Sequence, residues 1–315
     1  MDSNVARELF VESLILIGLP LCTRRRDSGL AKAVEVLRKS GIVARLQDRQ
    51  VSFSDAGDVT IPSIGADSGP PNLTNFNHFL QGTGKIASAV RNLGAQGSVF
   101  GLGGDCSICV GTLAGIQSGI GGSIGIVWID AHGDFNTPKT TPSGFIGGMC
   151  LAMACGRGPH LEGIVRNDNP LVTEENVVHL ANRALDPAEA KAMSSSPMQV
   201  YSASTLREKG IAPIVSSVTS KLADRCGGIL CHLDIDAIDP KLMPAVNFPE
   251  PHGLTLDEAK TIVAAVQATS KLKLFELAGY NADLDVDGTC AKRLISLVSD
   301  MMTGLAFSSR GYRPS

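Results

Sequence analysis

Two stretches of this chain run through apolar residues and stop in closely spaced acids. The first is Gly125-Ile126-Val127-Trp128-Ile129-Asp130-Ala131-His132-Gly133-Asp134. The second is Gly228-Ile229-Leu230-Cys231-His232-Leu233-Asp234-Ile235-Asp236-Ala237-Ile238-Asp239-Pro240. Two-residue spacing on an extended chain puts alternate side chains on one face, so each stretch predicts converging carboxylates and an imidazole at the end of a buried strand. Carboxylate is a hard oxygen ligand and imidazole a borderline nitrogen ligand, a combination that suits Mn, Fe, Co, Ni or Zn. Either stretch alone could be a strand end with solvated acids. Two of them together point to a metal site.

The segments between them read as alternating strands and helices. Strands are predicted at residues 14–18, 42–46, 98–102, 124–129, 177–181, 200–202, 228–235 and 272–277. Helices are predicted at 30–39, 75–93, 108–117, 145–156, 187–193, 211–222, 255–269 and 291–305, with polar loops at 52–72 and 135–143. Repeated β-α units imply a mainly parallel sheet covered by helices on both faces. With no internal repeat and no long linker, residues 1–315 read as one domain. Ligands of such sheets bind beyond the carboxyl ends of the strands, where both acidic stretches fall.

Composition narrows the function classes. A chain of 315 residues that is 43% hydrophobic can bury a large core, and a net charge of −3 offers nothing to nucleic acid or an anionic membrane. The cluster Arg24-Arg25-Arg26 is short and reads as solvated surface. The eight cysteines lack the paired spacing of a structural zinc site, and several sit in apolar runs. They read as reduced, mostly buried thiols of a cytoplasmic protein. No apolar run reaches the ~18 residues of a membrane span. His78, His160 and His179 lie outside the motifs and receive no role.

Three further motifs join the two acidic stretches: Gly103-Gly104-Asp105-Cys106-Ser107, Ser143-Gly144-Phe145-Ile146-Gly147-Gly148-Met149, and Gly253-Leu254-Thr255. In this order and at these spacings the chain resembles the ureohydrolase superfamily of arginase, agmatinase and formiminoglutamase. The resemblance implies a three-layer α/β/α fold on an eight-stranded sheet and a two-metal site, usually manganese, that hydrolyses a guanidino or amidino C–N bond. Two cations bridged by carboxylates lower the pKa of a shared water, and a nearby acid assists the leaving amine. By resemblance, Asp130 and Asp234 bridge the metals, Asp134 and Cys106 complete one position, and His132 and Asp236 complete the other. Asp134 also counts among the candidate catalytic residues, and Asp239 ties the turn before Pro240. Asn136, Thr141 and Ser143 match the residues that hold a substrate α-carboxylate. Asp186, with Glu189 behind it, matches the acid that holds an α-amino group. That set points to the arginase lineage, because agmatine has no carboxylate. A homo-oligomer, trimer or hexamer, is the default by resemblance.

The chain departs from the active arginase pattern at three places. Cys106 replaces a metal-binding histidine; it is either a softer ligand that favours zinc or a buried thiol beside a weakened position. Gly147 replaces the histidine that shuttles protons. Gly279 stands where a glutamate grips the guanidinium, while Glu276, of opposite parity, reads as a surface or loop acid. His232, two residues before Asp234, either reaches the site as a ligand or acid or supports it from behind. Glu250 and His252, in the loop before Gly253, could replace the missing groups. The leading expectation is a metallohydrolase with one or two ions, Mn first and Zn or Fe after it. It would cleave a non-peptide C–N bond in a small amino-acid-like substrate, with arginase activity weak or absent. A repurposed biosynthetic enzyme on the same fold and a silent binding or regulatory homologue are the alternatives.

Overall fold

A computed structural model describes residues 13–24, 29–65, 69–159, 161, 164 and 170–308. Arg25, Arg26 and His160 lie outside them. In chain order the elements are β1 (Ser13–Leu19), α1 (Ala33–Lys39), α2 (Ile42–Asp48), β2 (Phe53–Asp58), α3 (Phe76–Gly94), β3 (Gly97–Gly103), α4 (Ile108–Ile116), β4 (Ile124–Ile129) and α5 (Cys150–Ala154). There follow β5 (Val177–Asn182), α6 (Pro187–Ser194), β6 (Gln199–Ser202), α7 (Ala203–Lys209), α8 (Ile211–Arg225), β7 (Gly228–Asp234), α9 (Leu256–Ala268), β8 (Leu272–Ala278) and α10 (Thr289–Ser308).

The eight strands form one sheet in the order β2-β1-β3-β8-β7-β4-β5-β6, and every pairing is parallel. Alternate residues of each strand feed two separate cores. Val127, Ile129, Cys231 and Leu233 pack with α1, α2, α8, α9 and α10 on one face. Ile126, Trp128, Leu230 and Leu274 pack with α3, α4 and α5 on the other. This is the three-layer α/β/α arrangement expected, with helices burying both faces of a parallel sheet. All eight cysteines are buried, and none is in a disulfide. Among the described residues no helix is long and apolar enough to cross a membrane.

Four expectations change. Residues 42–46 are helix α2 rather than a strand: Ile42 and Leu46, one helical turn apart, are buried while Ala44, Gln47 and Asp48 face out, a helical pattern hidden by the β-branched Ile-Val start. Residues 52–72 are not all loop, because Phe53–Asp58 form edge strand β2. Its sequence is polar and carries a glycine, but β1 supplies its pairing and Arg38 of α1 grips Asp55 and Asp58 at 2.6 Å each. The helix expected over 145–156 is confined to α5 and a preceding turn of 3-10 helix, since Gly147 and Gly148 hold no helix well. Helix α7 is an addition to the expected elements; Ser202 caps it by accepting from Thr205 N at 3.1 Å.

The corner between α1 and α2 depends on Gly41, whose φ of 96° is left-handed. A Cβ there would meet nothing within 4 Å, so conformation is the only obstacle to a side chain. Gly41→Ala is expected to destabilise the fold by about 1 kcal/mol through backbone strain alone. Thermal melting checks this, with Gly41→Asn expected to lose less.

Candidate metal centre

Both acidic stretches lie at the carboxyl edge of the sheet, on neighbouring strands. The β4–β7 register pairs Trp128 with His232 and Ile129 with Leu233, so Asp130 leaves β4 beside Asp234 of β7. The convergence is as expected; its cause beyond these two positions is not. Strand β4 ends at Ile129, and Asp130 to Asp134 form a loop in which Asp134 takes a left-handed φ of 48°. Strand β7 ends at Asp234, which caps a turn of 3-10 helix by accepting from Asp236 N at 2.7 Å. Asp130 likewise accepts from His132 N at 2.7 Å, and Asp236 accepts from Ala131 N at 3.2 Å. Side chain-to-backbone bonds, rather than a continuing strand pleat, aim the acids inward.

These acids line a cavity of about 910 Å³. Cys106, Asp130, His132, Asp134, Asp234 and Asp236 all reach it, as do Asn136, Thr141, Ser143, Asp186, Glu189 and Glu250. His252 is exposed and does not line it; its carbonyl accepts from Arg207. His232 does not line it either. It lies fully buried behind the cavity floor.

Burial dominates the electrostatics. It raises the pKa of Asp134 well above the carboxylate range, with the charge of Asp130 adding to it. Burial and the charge of Asp236 push Asp234 up to about 7, and burial with the charge of Asp130 raises Asp236. Burial opposes a charge on His132, but hydrogen bonds to Asp130 and Asp236 overcome it and push its pKa up to about 12. His132 Nδ1 lies 3.1 Å from Asp236 Oδ2 and 3.5 Å from Asp130 Oδ1. Carboxylates gathered this densely lose stability from mutual repulsion and desolvation unless a cation compensates. Two triads have donor atoms all within 4.8 Å of one another: Asp130, His132 and Asp236, and Cys106, Asp130 and His232. The side chains present therefore fit divalent metal, with Asp130 shared between two positions.

The wall beside the acids is braced internally. Asn136 Nδ2 donates to Asp186 Oδ2 at 2.8 Å, and Thr140 Oγ1 donates to Asn136 Oδ1 at 2.9 Å. Glu189 accepts from Phe135 N at 2.8 Å and Asp186 N at 3.2 Å, so it holds the loop to the start of α6. Thr141 Oγ1 accepts from Gly144 N at 3.0 Å, and Ser143 Oγ from Phe145 N at 3.2 Å. Asp239 accepts from Lys241 N at 3.0 Å and ties the turn around Pro240. In the first motif Asp105 accepts from Thr23 Oγ1 at 2.8 Å and Ser107 N at 3.0 Å, which fixes the loop that carries Cys106.

Two positions in the cavity wall are occupied by neighbours. A Cβ on Gly279 would stand 2.1 Å from Asp234 Oδ1, and the φ of 85° there is itself left-handed. A Cβ on Gly147 would stand 2.4 Å from the Phe145 ring, which covers it. Arg24 is not solvated surface. It lines the cavity, and its guanidinium lies 4.9 Å above the ring of Phe248. Phe248 also meets His132 edge-on, with ring centroids 5.8 Å apart.

Sequence reasoning missed three residues. Glu276 is not a surface acid: β8 is paired on both edges by β3 and β7, helices cover both faces of the sheet, and Glu276 is fully buried. Its Oε2 lies 2.9 Å from His232 Nδ1, and its Oε1 accepts from Thr112 Oγ1. Trp128 stacks on His232 with centroids 3.8 Å apart and donates Nε1–H to Asp130 Oδ2 at 3.1 Å. Arg183 donates to the carbonyls of Asp236, at 2.6 Å, and Glu250, at 2.8 Å, clamping two loops of the rim. The parity of Trp128 with Asp130 was a readable signal, whereas the partners of Glu276 depend on strand order.

A sequence model of the arginase family matches residues 12–304. The arginase of Bacillus subtilis (strain 168) is 30% identical over 298 residues, which cover 92% of this chain and 98% of that protein. The solved structure of arginase from Bacillus caldovelox superposes with a TM-score of 0.85 at 28% identity, and that of Entamoeba histolytica arginase in complex with L-ornithine with 0.84 at 25%. Each covers 92% of this chain and 98% of the solved chain.

If a cation is what this acidic cluster lacks, manganese or zinc at 100 times its Kd should stabilise the protein by about 2.7 kcal/mol. Asp234→Asn should abolish that gain while leaving the metal-free protein as stable as before or more so, because it removes a disfavoured buried charge. Melting curves with and without metal test both signs.

Proposed function

Because the chain belongs to the arginase family of hydrolases, we propose that it hydrolyses an amidine-type C–N bond in a small amino-acid-like substrate and that arginine itself is a poor one. When bound, divalent cations supply an activated water near neutral pH and positive charge opposite the developing tetrahedral centre. Asp130, Asp234, Cys106, Asp134, His132 and Asp236 are the residues that would hold them. Manganese is the family's usual ion, and zinc or iron suit the same donors.

The other residues orient substrate. Asn136, Thr141 and Ser143 offer polar groups to a carboxylate from one wall of the cavity, and Asp186 offers a charge to an ammonium. An Entamoeba histolytica arginase solved with L-ornithine gives a precedent for an amino-acid ligand in this fold. Glu250 reaches the cavity from the loop clamped by Arg183, and is the acid best placed to pair with an amidinium or protonate a leaving amine.

The observation that carries the reading against arginine is the fit of Asp234 against Gly279. The space from which a carboxylate would hold a guanidinium is filled by a candidate metal ligand, itself held by Asp236 N at 2.7 Å and Cys106 Sγ at 2.9 Å. Losing a charge-assisted bidentate contact in a dry site costs several kcal/mol of substrate binding, of which about 1.5–3 kcal/mol comes from each hydrogen bond to a charged group.

Ammonia and urea release from a panel of guanidino, amidino and formimidoyl amino acids tests the proposal on metal-loaded protein. Turnover of a non-guanidino member should exceed that of arginine. Urea release from arginine at an ordinary rate of about 10–1,000 per second would refute it. The double variant Cys106→His, Gly147→His should not recover arginine hydrolysis, because Gly279 remains closed by Asp234.

A further inference from the structure

Behind the cavity floor, a row of paired residues crosses the sheet: Gly101 on β3, Glu276 on β8, His232 on β7, Trp128 on β4 and His179 on β5. The middle three bear on the candidate metal position that has lost its histidine. His232 is completely buried, and its Nε2 has no hydrogen-bond partner. A buried imidazole nitrogen without a partner loses its hydration for nothing, unless it serves a ligand. A donor nitrogen of this ring, Cys106 Sγ and a carboxylate oxygen of Asp130 all lie within 4.8 Å of one another.

We propose that His232 supplies, from the strand behind the cavity, the imidazole that position 106 no longer provides, making a thiolate–imidazole–carboxylate site of Cys106, His232 and Asp130 that selects zinc over manganese. This rests on the metallohydrolase reading above and assigns its ligands and its metal.

The surroundings prepare Nε2 for that role. Glu276 Oε2 lies 2.9 Å from Nδ1, and with that oxygen as acceptor the ring proton sits on Nδ1 and the lone pair on Nε2. Thr112 Oγ1 donates to the other oxygen of Glu276 and holds that carboxyl in place. The stack on Trp128, 8° from parallel, fixes the ring plane. The same indole donates to Asp130 Oδ2, so one side chain orients two of the three donors. Cys106 Sγ lies 2.9 Å from Asp234 Oδ2 and 3.9 Å from Asp130 Oδ2, within the group of acids that would hold the ion. Binding converts the thiol to thiolate and releases its proton to solvent. A thiolate with imidazole favours zinc, whereas Asp130, His132 and Asp236 form a harder set that also accepts manganese. The two positions are then chemically unequal.

Cobalt(II) is the probe, because sulfur ligation gives it a thiolate-to-metal charge-transfer band in the near ultraviolet. The full-length protein titrated with cobalt should show that band, and Cys106→Ser should lose it. His232→Gln should lower zinc affinity at the sulfur-bearing position by about 100-fold or more, and Glu276→Gln, which acts through His232, by about 10- to 100-fold. Equimolar zinc and manganese offered together should leave zinc on the wild type. Cobalt bound without the sulfur band overturns the proposal, as does unchanged zinc affinity in folded His232→Gln. If that variant does not fold, the wild-type band and the Glu276→Gln affinity still decide. In either negative case the hydrolase reading survives, provided metal still binds and its loss follows Asp130→Asn. A wild type that binds no metal overturns both.

Discussion

Negative charge buried without enough solvent is the constraint on which this structure turns. Asp130, Asp134, Asp234 and Asp236 sit where β4 and β7 deliver them, at the carboxyl edge of a parallel sheet and almost out of water. Sheet pairing fixes how far apart they can be, because Asp130 and Asp234 follow directly from adjacent, in-register strands. Desolvation and like charge then raise the proton affinity of Asp134, Asp234 and Asp236. His132, whose pKa these acids push up to about 12, and backbone N–H groups turned toward the carboxylates offset part of this charge. Such an arrangement is costly for stability alone and useful for holding cations.

The rest of the molecule accommodates that cost. Parallel strands bury both sheet faces under helices and supply the rigidity that keeps the acids together. Around the rim, Glu189, Arg183 and Asp105 hold loop backbones in place. Behind the floor the sheet is aromatic and imidazole in character, with Trp128 stacked on His232. At the mouth, Phe145 and Phe248 add apolar surface, and Arg24 lies over the latter. The chamber thus joins an acidic floor to a partly apolar entrance.

The acids at the strand ends were legible because an apolar run that stops in Asp-x-His-x-Asp places three ligand-type side chains where a buried strand meets a loop, and solvated turns seldom need that density of charge. The parallel sheet was legible from the alternation of strand and helix patterns, and the internal loops by their Gly and Pro content. The helix over residues 42–48 was not, because Ile42 and Val43 have strand propensity, and only packing against α10 and the left-handed Gly41 show the helical period. Strand β2 was hidden because its residues are nearly all exposed and its order comes from Arg38 and β1. Glu276 escaped for a different reason. Its character follows from lying between β3 and β7, strands far from it along the chain, and no local pattern encodes such pairing. Gly147 and Gly279 could be read as losses; that Phe145 and Asp234 now occupy their surroundings could not.

The cross-sheet row also means that nearness to the cavity is a poor guide to which residues govern it. Thr112, buried on α4 and absent from the cavity wall, touches Glu276; Glu276 touches His232; His232 stacks on Trp128, which holds Asp130. Four consecutive contacts link a helix on the far side of the floor to a carboxylate in the cavity wall. With His232 as the proposed ligand, metal selectivity would be inherited partly from the hydrophobic interior, and a library of variants restricted to the visible wall would sample only one side of the apparatus that tunes it.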